Sequence, residues 1–478
     1  MMKIGSIING KERNEQNRKT LDINNPYNHE TVGTIALASR DDLNDAVESS
    51  FDTFHHKMKA MPAHKRGDIL RKAADLLEEN ADDFVQTITA EAGKPIKHSQ
   101  AEVQRSVQIL RFASEQAKNI NGEVIPMDAA IGGEHRMGLV TRKALGVVGA
   151  ITPFNFPLNL SLHKLAPAIA AGNTIVFKPA EKTPISAYKL TKLLHNAGLP
   201  EGALNLVLGT GEETGDPLVK HEKVHKISFT GSLPVGKIIQ KTAGFKKITL
   251  ELGSNSPNII FEDATIKEAA TELVKGAFAF SGQVCISAQR IYVQKAIYDT
   301  FLEEYTKLTN ALQLGDPFDV ETDIGPMISE DEAKRAKQWI DDAVEKGAKI
   351  ETGGERNGST LTPTIMTNVD KNMKIIAEEV FAPIVSVIPF DTEEEVIEFA
   401  NDSIYGLQAG VFTKDIDRAI RVADRLEVGG VWINEISTYR QDNHPYGGVK
   451  QSGIGREGVK YAVEDMTEMK FIGIKLKG

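Results

Sequence analysis

The chain contains one cysteine, Cys285, in the segment Phe280-Ser-Gly-Gln-Val-Cys-Ile-Ser287. A single cysteine cannot form an internal disulfide or a cluster of thiolate metal ligands. The thiol is therefore either a small buried apolar residue or a nucleophile. Burial is the more common role of an arbitrary free cysteine. Gly282 favours the nucleophile, because a glycine lets backbone or ligand approach closely.

Two further residues could assist a reactive thiol. Glu251, in Glu251-Leu-Gly-Ser-Asn-Ser-Pro257, could supply the general base that a thiol enzyme needs. Asn155 lies between two aromatic residues and two prolines in Thr152-Pro-Phe-Asn-Phe-Pro157. Its NH2 group could donate to a developing oxyanion. It could equally satisfy backbone groups in a turn, and the local sequence leaves both interpretations open.

Lys178 and Glu181 follow a predicted strand in Phe177-Lys-Pro-Ala-Glu-Lys-Thr-Pro184. At the carboxyl end of a strand, both side chains could bind the ribose hydroxyls of a dinucleotide. A carboxylate in this position would repel a 2′-phosphate and favour NAD over NADP. Taken alone, the motif is more typical of a solvated, charged turn.

Two glycine-containing segments could contact a dinucleotide. Phe229-Thr-Gly-Ser-Leu-Pro-Val-Gly236 predicts a strand, a tight turn and a helix start, where Gly231 and the Ser232 hydroxyl could approach a pyrophosphate. The run 209–215, which includes Gly211, has its third glycine one residue late for the dinucleotide fingerprint. We interpret it as a loop near the cofactor. The histidines lack metal-ligand spacing, so no metal site is predicted.

At 478 residues the chain is too long for one hydrophobic core, and we expect two or three domains. Its net charge of -10 gives no electrostatic reason to bind nucleic acid or anionic lipid. The most apolar stretch, residues 158–177, is interrupted by Lys164, Pro167 and Asn173, so we predict no membrane span. One free cysteine and an N-terminal segment without an export signal predict a cytoplasmic protein.

Periodicity predicts helices over residues 41–118 and strand–helix alternation from 146 onward. The alternation forms two blocks, one ending near residue 252 and the other running from about 257 to 435. This pattern predicts parallel sheets with right-handed crossovers and ligands beyond the carboxyl ends of the strands. Residues 122–143 and the tail 462–478 fit neither block, and we expect them to form a protruding β element for subunit contact.

The motifs occur in a fixed order along the chain: Thr-Pro-Phe-Asn155-Phe-Pro, Lys178-Pro-Ala-Glu181, Phe-Thr-Gly231-Ser232, Glu251-Leu-Gly, Gly282-Gln-Val-Cys285, Glu379-Val-Phe381-Ala-Pro, and Pro445-Tyr-Gly-Gly-Val-Lys-Gln-Ser-Gly453. In this combination the chain resembles the NAD(P)-dependent aldehyde dehydrogenase superfamily over nearly its whole length. The Glu-Leu-Gly and Gly-Gln-x-Cys motifs are the most specific part of the resemblance.

The resemblance implies a role for each motif. Cys285 forms a thiohemiacetal with the aldehyde, and Asn155 and the Cys285 backbone N–H form the oxyanion hole. Glu251 activates the water that hydrolyses the later thioester. The implied cofactor is NAD, with NADP as an alternative. The residues implied to bind it are Thr152, Phe154, Lys178, Glu181, Gly211, Gly231, Ser232, Gly253, Glu379 and Phe381.

The resemblance also implies an α/β fold with three parts. A Rossmann-like NAD-binding domain is expected from residues 1–121 and 144–252, and an α/β catalytic domain from 253–461. Residues 122–143 and 462–478 are expected to form a β oligomerisation arm. The implied assembly is a homodimer or homotetramer.

Within the superfamily, the segment from Arg440 to Gly458 resembles lactaldehyde, phosphonoacetaldehyde and sulfoacetaldehyde dehydrogenases, which implies a small hydroxylated or anionic aldehyde as substrate. Arg105 and Arg440 could form a funnel that favours an anionic aldehyde. Alternatively, both are surface residues paired with acids such as Glu102 and Asp442. A CoA-acylating semialdehyde dehydrogenase is the main alternative function, which the presence of Glu251 disfavours. A non-enzymatic scaffold is disfavoured because Cys285, Glu251 and Asn155 are all present.

Overall fold

The computed structural model describes residues 2–15 and 17–477. Helices and strands are numbered in chain order. The helices are α1 Arg40–His56, α2 Ala63–Glu79, α3 Ala81–Ala92, α4 Ile96–Ala117, α5 Asn159–Ala171, α6 Pro184–Asn196, α7 Asp216–Lys220, α8 Leu233–Thr242, α9 Ile266–Phe278, α10 Tyr298–Asn310, α11 Glu330–Glu345, α12 Lys374–Ala377, α13 Glu393–Asn401, α14 Ile416–Arg425 and α15 Val459–Asp465.

The strands alternate with these helices. They are β1 Met2–Ile4, β2 Ser6–Ile8, β3 Lys11–Arg13, β4 Thr20–Asn24, β5 Thr31–Ala36, β6 Glu123–Ile125, β7 Arg136–Ala144, β8 Val147–Ile151, β9 Thr174–Lys178, β10 Leu204–Leu206, β11 Val224–Thr230, β12 Lys247–Glu251, β13 Pro257–Ile260, β14 Arg290–Gln294, β15 Lys349–Thr352, β16 Arg356–Asn357, β17 Thr360–Leu361, β18 Thr364–Thr367, β19 Ile384–Phe390, β20 Gln408–Phe412, β21 Gly430–Ile433, β22 Gly453–Ile454 and β23 Thr467–Lys475.

The first large sheet has eight strands in the order β22-β12-β11-β8-β9-β10-β2-β3. Its five central strands, β12 to β10 in that order, are parallel, as the strand–helix alternation predicts. From β8 the chain runs outward through β9 and β10, then returns to the other side of β8 for β11 and β12. The neighbouring strands β8 and β11 therefore form a topological switch point, where α/β sheets bind ligands.

The register of this sheet brings the chemically interesting residues to one edge. Ile151 at the end of β8 pairs with Lys178 at the end of β9. On the other side of β8, Thr230 at the end of β11 pairs with Glu251 at the end of β12. Because these strands are parallel, the residues that follow them emerge at the same carboxyl edge.

The second large sheet has the order β15-β18-β19-β14-β13-β20-β21 and is parallel except for β15. Helix α9 follows β13 and packs its apolar face, including Leu273 and Ala277, on this sheet's core. The end of α9 delivers the chain to the segment that contains Cys285.

Strands β23, β7 and β6 form a separate three-stranded antiparallel sheet, whose chain boundary differs from the one expected for the β arm. Residues 459–465 form helix α15, and Val463 and Met466 are buried in the same core as helices α4 and α5. Strand β22 pairs with β12 of the first sheet. The arm strand therefore begins at Thr467, and residues 453–466 pack with the first sheet because their apolar side chains complete its core.

Among the described residues, no helix is long and apolar enough to cross a bilayer.

Candidate active site

The segment before Cys285 has an unusual backbone. After α9, Phe280, Ser281 and Gly282 all have positive φ angles, of 47°, 54° and 69°. A Cβ atom at Gly282 would lie 2.1 Å from the carbonyl oxygen of Ala382, so a side chain is excluded there. Three consecutive left-handed residues cost free energy, and such strain is concentrated at functional sites.

Cys285 lies at the end of this strained segment and is half-buried. It lines a cavity of about 380 Å³. Burial raises the pKa of the Cys285 thiol to about 11, while the Tyr446 hydroxyl and the charge of Arg440 act in the opposite direction. The sulfur lies 3.2 Å from the Tyr446 Oη atom. The thiol thus opens onto a ligand-sized space, unlike an inert core cysteine.

Asn155 is buried and lines the same cavity. Its Nδ2 atom donates to the Gln283 carbonyl oxygen at 2.9 Å, two residues before Cys285. Its Oδ1 atom accepts from the Phe156 N–H at 3.1 Å, which is the local contact expected of a turn asparagine. The amide therefore serves both purposes: its oxygen fixes the turn, and its NH2 group is held against the cysteine segment with one N–H to spare.

Glu251 is 3% exposed, and neither carboxylate oxygen has a hydrogen-bond partner among the described residues. Burial, reinforced by Glu457, raises the pKa of the Glu251 carboxyl well above its ordinary value, against the pull of Arg440 and Lys164. A Cβ at Gly447 would lie 2.9 Å from Glu251 Oε1. The carboxyl is therefore poised to take up a proton, although it lies outside the lining of the Cys285 cavity.

A second cavity, of about 650 Å³, contains the predicted cofactor residues Thr152, Lys178, Glu181, Gly211 and Gly231. It shares lining residues with the Cys285 cavity. The shared residues are Pro153, Lys182, Thr230 and Gly231. The two cavities therefore form one continuous groove along the carboxyl edge of the first sheet, long enough for an elongated ligand that ends at the thiol.

Glu181 is held in this groove by two contacts. Its Oε1 atom accepts from the Gly211 N–H at 2.9 Å and lies 3.4 Å from Lys178 Nζ. Lys178 is 6% exposed, and burial lowers the pKa of its ammonium group. Lys178 is therefore not part of a solvated turn, and the geometry places an ammonium and a carboxylate where ribose hydroxyls could bind both.

Ser232 immediately precedes helix α8, and its hydroxyl makes no capping bond to the helix. Ser232 is exposed, and like Gly231 it lines the Cys285 cavity. A Cβ at Gly231 would lie 2.5 Å from the Phe229 ring, so close packing requires glycine there. An uncommitted hydroxyl at the start of a helix suits a phosphate group.

Glu379, Phe381, Phe154 and Gly253 line the part of the groove nearest Cys285. The Glu379 carboxylate accepts from the Ser254 N–H at 3.1 Å, and a Cβ at Gly253 would lie 2.5 Å from Glu379 Oε2. Burial raises the pKa of the Glu379 carboxyl to about 7. The rings of Phe154 and Phe381 meet edge to face at 6.0 Å. Together these groups supply an acceptor and two aromatic walls beside the thiol.

These observations fit a dinucleotide. The groove offers a carboxylate and an ammonium at one end, a free hydroxyl at a helix start, and a buried carboxylate beside Cys285 at the other end. This order matches an adenosine ribose, a pyrophosphate and a second ribose.

The two arginines expected to form a substrate funnel do not line either cavity. Arg105 forms a two-point ion pair with Asp442, with its closer contact at 2.7 Å, as the alternative interpretation expects. Arg440 differs from both expectations. It is neither on the surface nor paired with Glu102 or Asp442, because it is buried over the Tyr446 ring and donates to Glu457 at 2.9 Å.

Sequence reasoning missed a buried polar cluster behind Cys285. Its members are the buried residues Lys164, Thr230, Glu457, His163, Asp442 and Tyr446, together with Arg440, whose side chain is 7% exposed. Lys164 Nζ donates to Glu457 at 3.0 Å and to Thr230 at 2.7 Å. The available signal was a lysine inside the fully buried helix α5, since a buried lysine needs an acid partner.

Comparison with known proteins agrees with this geometry. Residues 13–472 match the Aldehyde dehydrogenase family. The 3-sulfolactaldehyde dehydrogenase of Priestia megaterium is 45% identical, with 99% of this chain and 98% of that protein covered. The lactaldehyde dehydrogenase of Methanocaldococcus jannaschii is 43% identical, with 95% and 97% covered.

A solved structure supports the same assignment. The glyceraldehyde-3-phosphate dehydrogenase GapN of Methanocaldococcus jannaschii, complexed with NADP, superimposes with a TM-score of 0.92 at 43% identity, covering 96% of this chain and 100% of that one. The superfamily and fold predicted from the motifs are confirmed. The chain belongs to the aldehyde dehydrogenase family and is an NAD(P)-dependent oxidoreductase that acts on aldehydes.

Proposed function

We propose that this protein oxidises a three-carbon 2-hydroxyaldehyde to the carboxylic acid, through a covalent intermediate on Cys285. The observation that carries the mechanism is the position of the thiol. Cys285 lies beside the Asn155 amide in a cavity continuous with the dinucleotide groove. The substrate class follows from the names of the two relatives, since 3-sulfolactaldehyde and lactaldehyde share a three-carbon skeleton with a 2-hydroxyl group.

In the first half-reaction, the Cys285 sulfur attacks the carbonyl carbon and forms a thiohemiacetal. The carbonyl oxygen takes on negative charge, and the spare N–H of Asn155 together with the Cys285 backbone N–H stabilises it. The oxyanion then collapses to a carbonyl, the same carbon loses a hydride, and a thioester remains on Cys285. NAD(P), when bound in the groove, would supply the hydride acceptor.

In the second half-reaction, Glu251 takes a proton from water, and the resulting hydroxide attacks the thioester carbon. The carbon–sulfur bond breaks, the acid leaves, and Cys285 regains its thiolate. The raised pKa of the Glu251 carboxyl makes it a stronger base than an exposed glutamate. Its buried, unpartnered oxygens require a small movement toward the cavity, which no hydrogen bond among the described residues opposes.

The residues proposed to hold the cofactor are those that line the groove. Lys178 and Glu181 bind the adenosine ribose, Ser232 the pyrophosphate, and Glu379 the ribose next to the nicotinamide. Gly253 leaves room for Glu379, and Phe154 and Phe381 wall the end of the groove near Cys285. Glu181 favours NAD, with Lys182 beside it moderating the preference.

The substrate proposal is tested with a matched pair of aldehydes. Lactaldehyde and 3-sulfolactaldehyde differ only in the sulfonate, so a comparison of kcat/KM for the reduction of NAD isolates the contribution of the anion. Propionaldehyde, which lacks the 2-hydroxyl group, tests the second feature of the class. Equal efficiency with propionaldehyde and both hydroxyaldehydes would contradict the proposed substrate class.

Cys285→Ser tests the mechanism. A serine hydroxyl has almost no alkoxide at neutral pH, so dehydrogenase turnover is expected to fall at least about a hundredfold, while NAD binding persists. Product analysis with and without coenzyme A then separates hydrolysis from the CoA-acylating alternative. A free acid formed at the same rate without coenzyme A supports hydrolysis by Glu251. An acyl-CoA product would instead assign the CoA-acylating reaction to this protein.

A further inference from the structure

The contact between Cys285 and Tyr446 joins residues 161 positions apart. The sulfur and the phenol oxygen lie 3.2 Å apart, within hydrogen-bonding distance for sulfur. Tyr446 is 3% exposed, and burial raises the pKa of its phenol well above its ordinary value. The phenol therefore carries its proton at neutral pH, and toward a thiolate it acts as the donor.

A cation lies over the ring of this phenol. The guanidinium carbon of Arg440 lies 3.6 Å from the centroid of the Tyr446 ring. This is a close cation–π contact, and it is desolvated because Arg440 is buried. Positive charge on the ring face makes the phenol O–H a stronger hydrogen-bond donor and favours negative charge on the nearby sulfur.

Glu457 fixes both partners. Its carboxylate accepts from Arg440 Nη2 at 2.9 Å. Its backbone exchanges two hydrogen bonds with Tyr446: the Tyr446 N–H donates at 3.1 Å, and the Glu457 N–H donates at 2.6 Å. Glu457 thus fixes the Arg440 guanidinium over the Tyr446 ring and positions that ring beside the Cys285 sulfur.

His163 and Asp442 complete the support. Arg440 Nη2 lies 3.2 Å from His163 Nε2, which lies 2.8 Å from Asp442 Oδ1. Burial and the neighbouring Arg440 charge lower the pKa of His163, so the imidazole stays neutral and does not repel the guanidinium. Arg105 pairs with Asp442 from the solvent side.

We propose that Tyr446 donates a hydrogen bond to the Cys285 thiolate, and that Arg440 is a positioning residue that strengthens this bond through the Tyr446 ring. The inference deepens the proposed function, since it rests on Cys285 as the nucleophile. Ionisation breaks the S–H bond, the electron pair stays on sulfur, and the proton passes to water. Tyr446 then contributes to catalysis because it touches the reacting atom.

The charges around the sulfur oppose one another. Tyr446 and Arg440 lower the pKa of the thiol, whereas burial and the carboxylates of Glu379 and Glu251 raise it. Tyr446 and Arg440 thus offset the effect of burial and maintain a fraction of the buried thiol as thiolate. Removing either one is expected to shift the pKa of the thiol upward and to reduce that fraction.

Alkylation by iodoacetamide tests the proposal directly, because Cys285 is the chain's one cysteine and mass spectrometry reads it without ambiguity. The rate is measured over the neutral-to-alkaline range for the wild type, Tyr446→Phe, Arg440→Gln and Arg440→Lys. Below its pKa a thiol reacts tenfold more slowly for each unit by which that pKa rises, partly offset by the greater nucleophilicity of the more basic thiolate. We expect Tyr446→Phe to be about three- to tenfold slower at neutral pH.

Tyr439→Phe is the matched control. Tyr439 lies in the same part of the chain and packs on Trp432, away from the sulfur. We expect it to leave the alkylation profile unchanged. Arg440→Gln should slow the reaction, and Arg440→Lys should retain more of the wild-type rate because it keeps the positive charge.

The sign of the effect separates the proposal from simple loosening of the site. A loosened site would expose the thiol and accelerate alkylation, so an unchanged or faster Tyr446→Phe would overturn the proposal. If alkylation of Tyr446→Phe is slower but that of Arg440→Gln proceeds at the wild-type rate, Arg440 has no part in stabilising the thiolate. If Tyr446→Phe fails to fold, the Arg440→Gln and Arg440→Lys pair decides. Alkylation needs no turnover, so failure of the proposed dehydrogenase mechanism would appear separately, as turnover retained by Cys285→Ser.

Discussion

At the scale of single residues, the Glu251 carboxylate is buried and has no hydrogen-bond partner within the described part of the chain. A buried carboxylate without hydrogen bonds is costly, and the site retains one. Such a cost is expected where the carboxylate must be free to accept a proton during the reaction.

Glu251→Gln should separate the two half-reactions. The amide cannot take a proton from water, so one burst of NADH per active site is expected, followed by steady-state turnover lower by about a hundredfold or more. Rapid-mixing absorbance measurements check both phases. Glu303→Gln, on the exposed side of α10, is the control and should turn over like the wild type. Full steady-state turnover in Glu251→Gln would assign the base to another group.

The raised pKa of Glu251 also predicts a pH dependence. The base works only when deprotonated, and burial has moved its pKa upward. The steady-state rate should therefore fall as the pH drops through a value above that of an ordinary glutamate, while the burst amplitude falls less. If the acid limb of the pH–rate profile has the apparent pKa of an ordinary carboxyl group, burial does not raise the pKa of Glu251.

Glu181 determines the choice of cofactor in our proposal. Its carboxylate is held by the Gly211 N–H and lies beside Lys178, in position for a ribose hydroxyl. Glu181→Gln removes the charge that repels a 2′-phosphate, so the ratio of kcat/KM for NAD to that for NADP should fall about tenfold. Glu213→Gln, exposed on the neighbouring turn Gly211–Gly215, is the control. An unchanged ratio in Glu181→Gln would show that this carboxylate does not face the 2′ position.

Most of the residues indicated by the motifs line the same groove, but the sequence could not show which residues pack behind Cys285. Tyr446 was visible in the Pro-Tyr-Gly-Gly motif, yet its contact with Cys285 spans 161 positions. Arg440 was expected either in a substrate funnel or on the surface beside an acid, whereas it is held by Glu457 and the Tyr446 ring. Partners of buried charges are chosen by the tertiary packing, which local spacing does not encode.

At the scale of elements, the predicted alternation of strands and helices from residue 146 onward is present, but alternation does not determine where each helix begins. Helix α6 begins at Pro184. Its first turn is stabilised by Glu91, whose carboxylate accepts from the Ile185 and Ser186 N–H groups at 2.8 and 3.1 Å. A cap supplied from 94 residues away leaves no local signal.

A buried ion pair connects the segments that carry Asn155 and Cys285. Lys94 and Glu102 are fully buried and form a salt bridge. Glu102 Oε1 accepts from the Leu158 N–H at 2.9 Å, at the start of α5. Lys94 Nζ lies 3.9 Å from the centroid of the Phe156 ring and 4.7 Å from that of Phe280. The pair thus ties the residue after Asn155 to the strained segment before Cys285.

Lys94→Met should destabilise the protein by about 3–5 kcal/mol, because it leaves the Glu102 carboxylate buried without its counter-charge. Urea denaturation measures the loss. The double variant Lys94→Met/Glu102→Gln removes both charges and keeps an acceptor for the α5 N–H groups, so it should recover part of that loss. If Lys94→Met unfolds at the wild-type urea concentration, the pair does not hold these elements together.

At the scale of the whole molecule, alternation along the chain predicted two parallel sheets and a separate β element. The boundary of that element was misplaced, because α15 is too short to be distinguished from a strand by periodicity alone. Its placement depends on Val463 and Met466, which fill the core beside α4 and α5. Such a choice between packing partners is settled only when the sheet and its helices are assembled.

The arm implies an assembly larger than one chain. Strand β23 is the outer strand of its sheet and is exposed along nearly its whole length. Met469 and Phe471 are 62% and 54% exposed on the same face of that strand. An outer strand with free hydrogen-bonding groups and large apolar side chains is unfavourable in water and favours pairing with another chain. We therefore expect a homo-oligomer whose contacts include β23.

Met469→Glu/Phe471→Glu places two charges on that surface and should convert the oligomer to a smaller species, because unpaired charges are not tolerated in a desolvated interface. Light scattering coupled to size-exclusion chromatography gives the mass of each species. Lys477→Glu, beyond the end of β23, is the control and should keep the wild-type mass. A wild-type protein that is monomeric at micromolar concentration, or a double variant of unchanged mass, would exclude β23 from the interface.

A double variant that becomes smaller yet keeps its turnover per chain would show that each chain carries a complete groove, as the continuous lining from Glu181 to Cys285 implies.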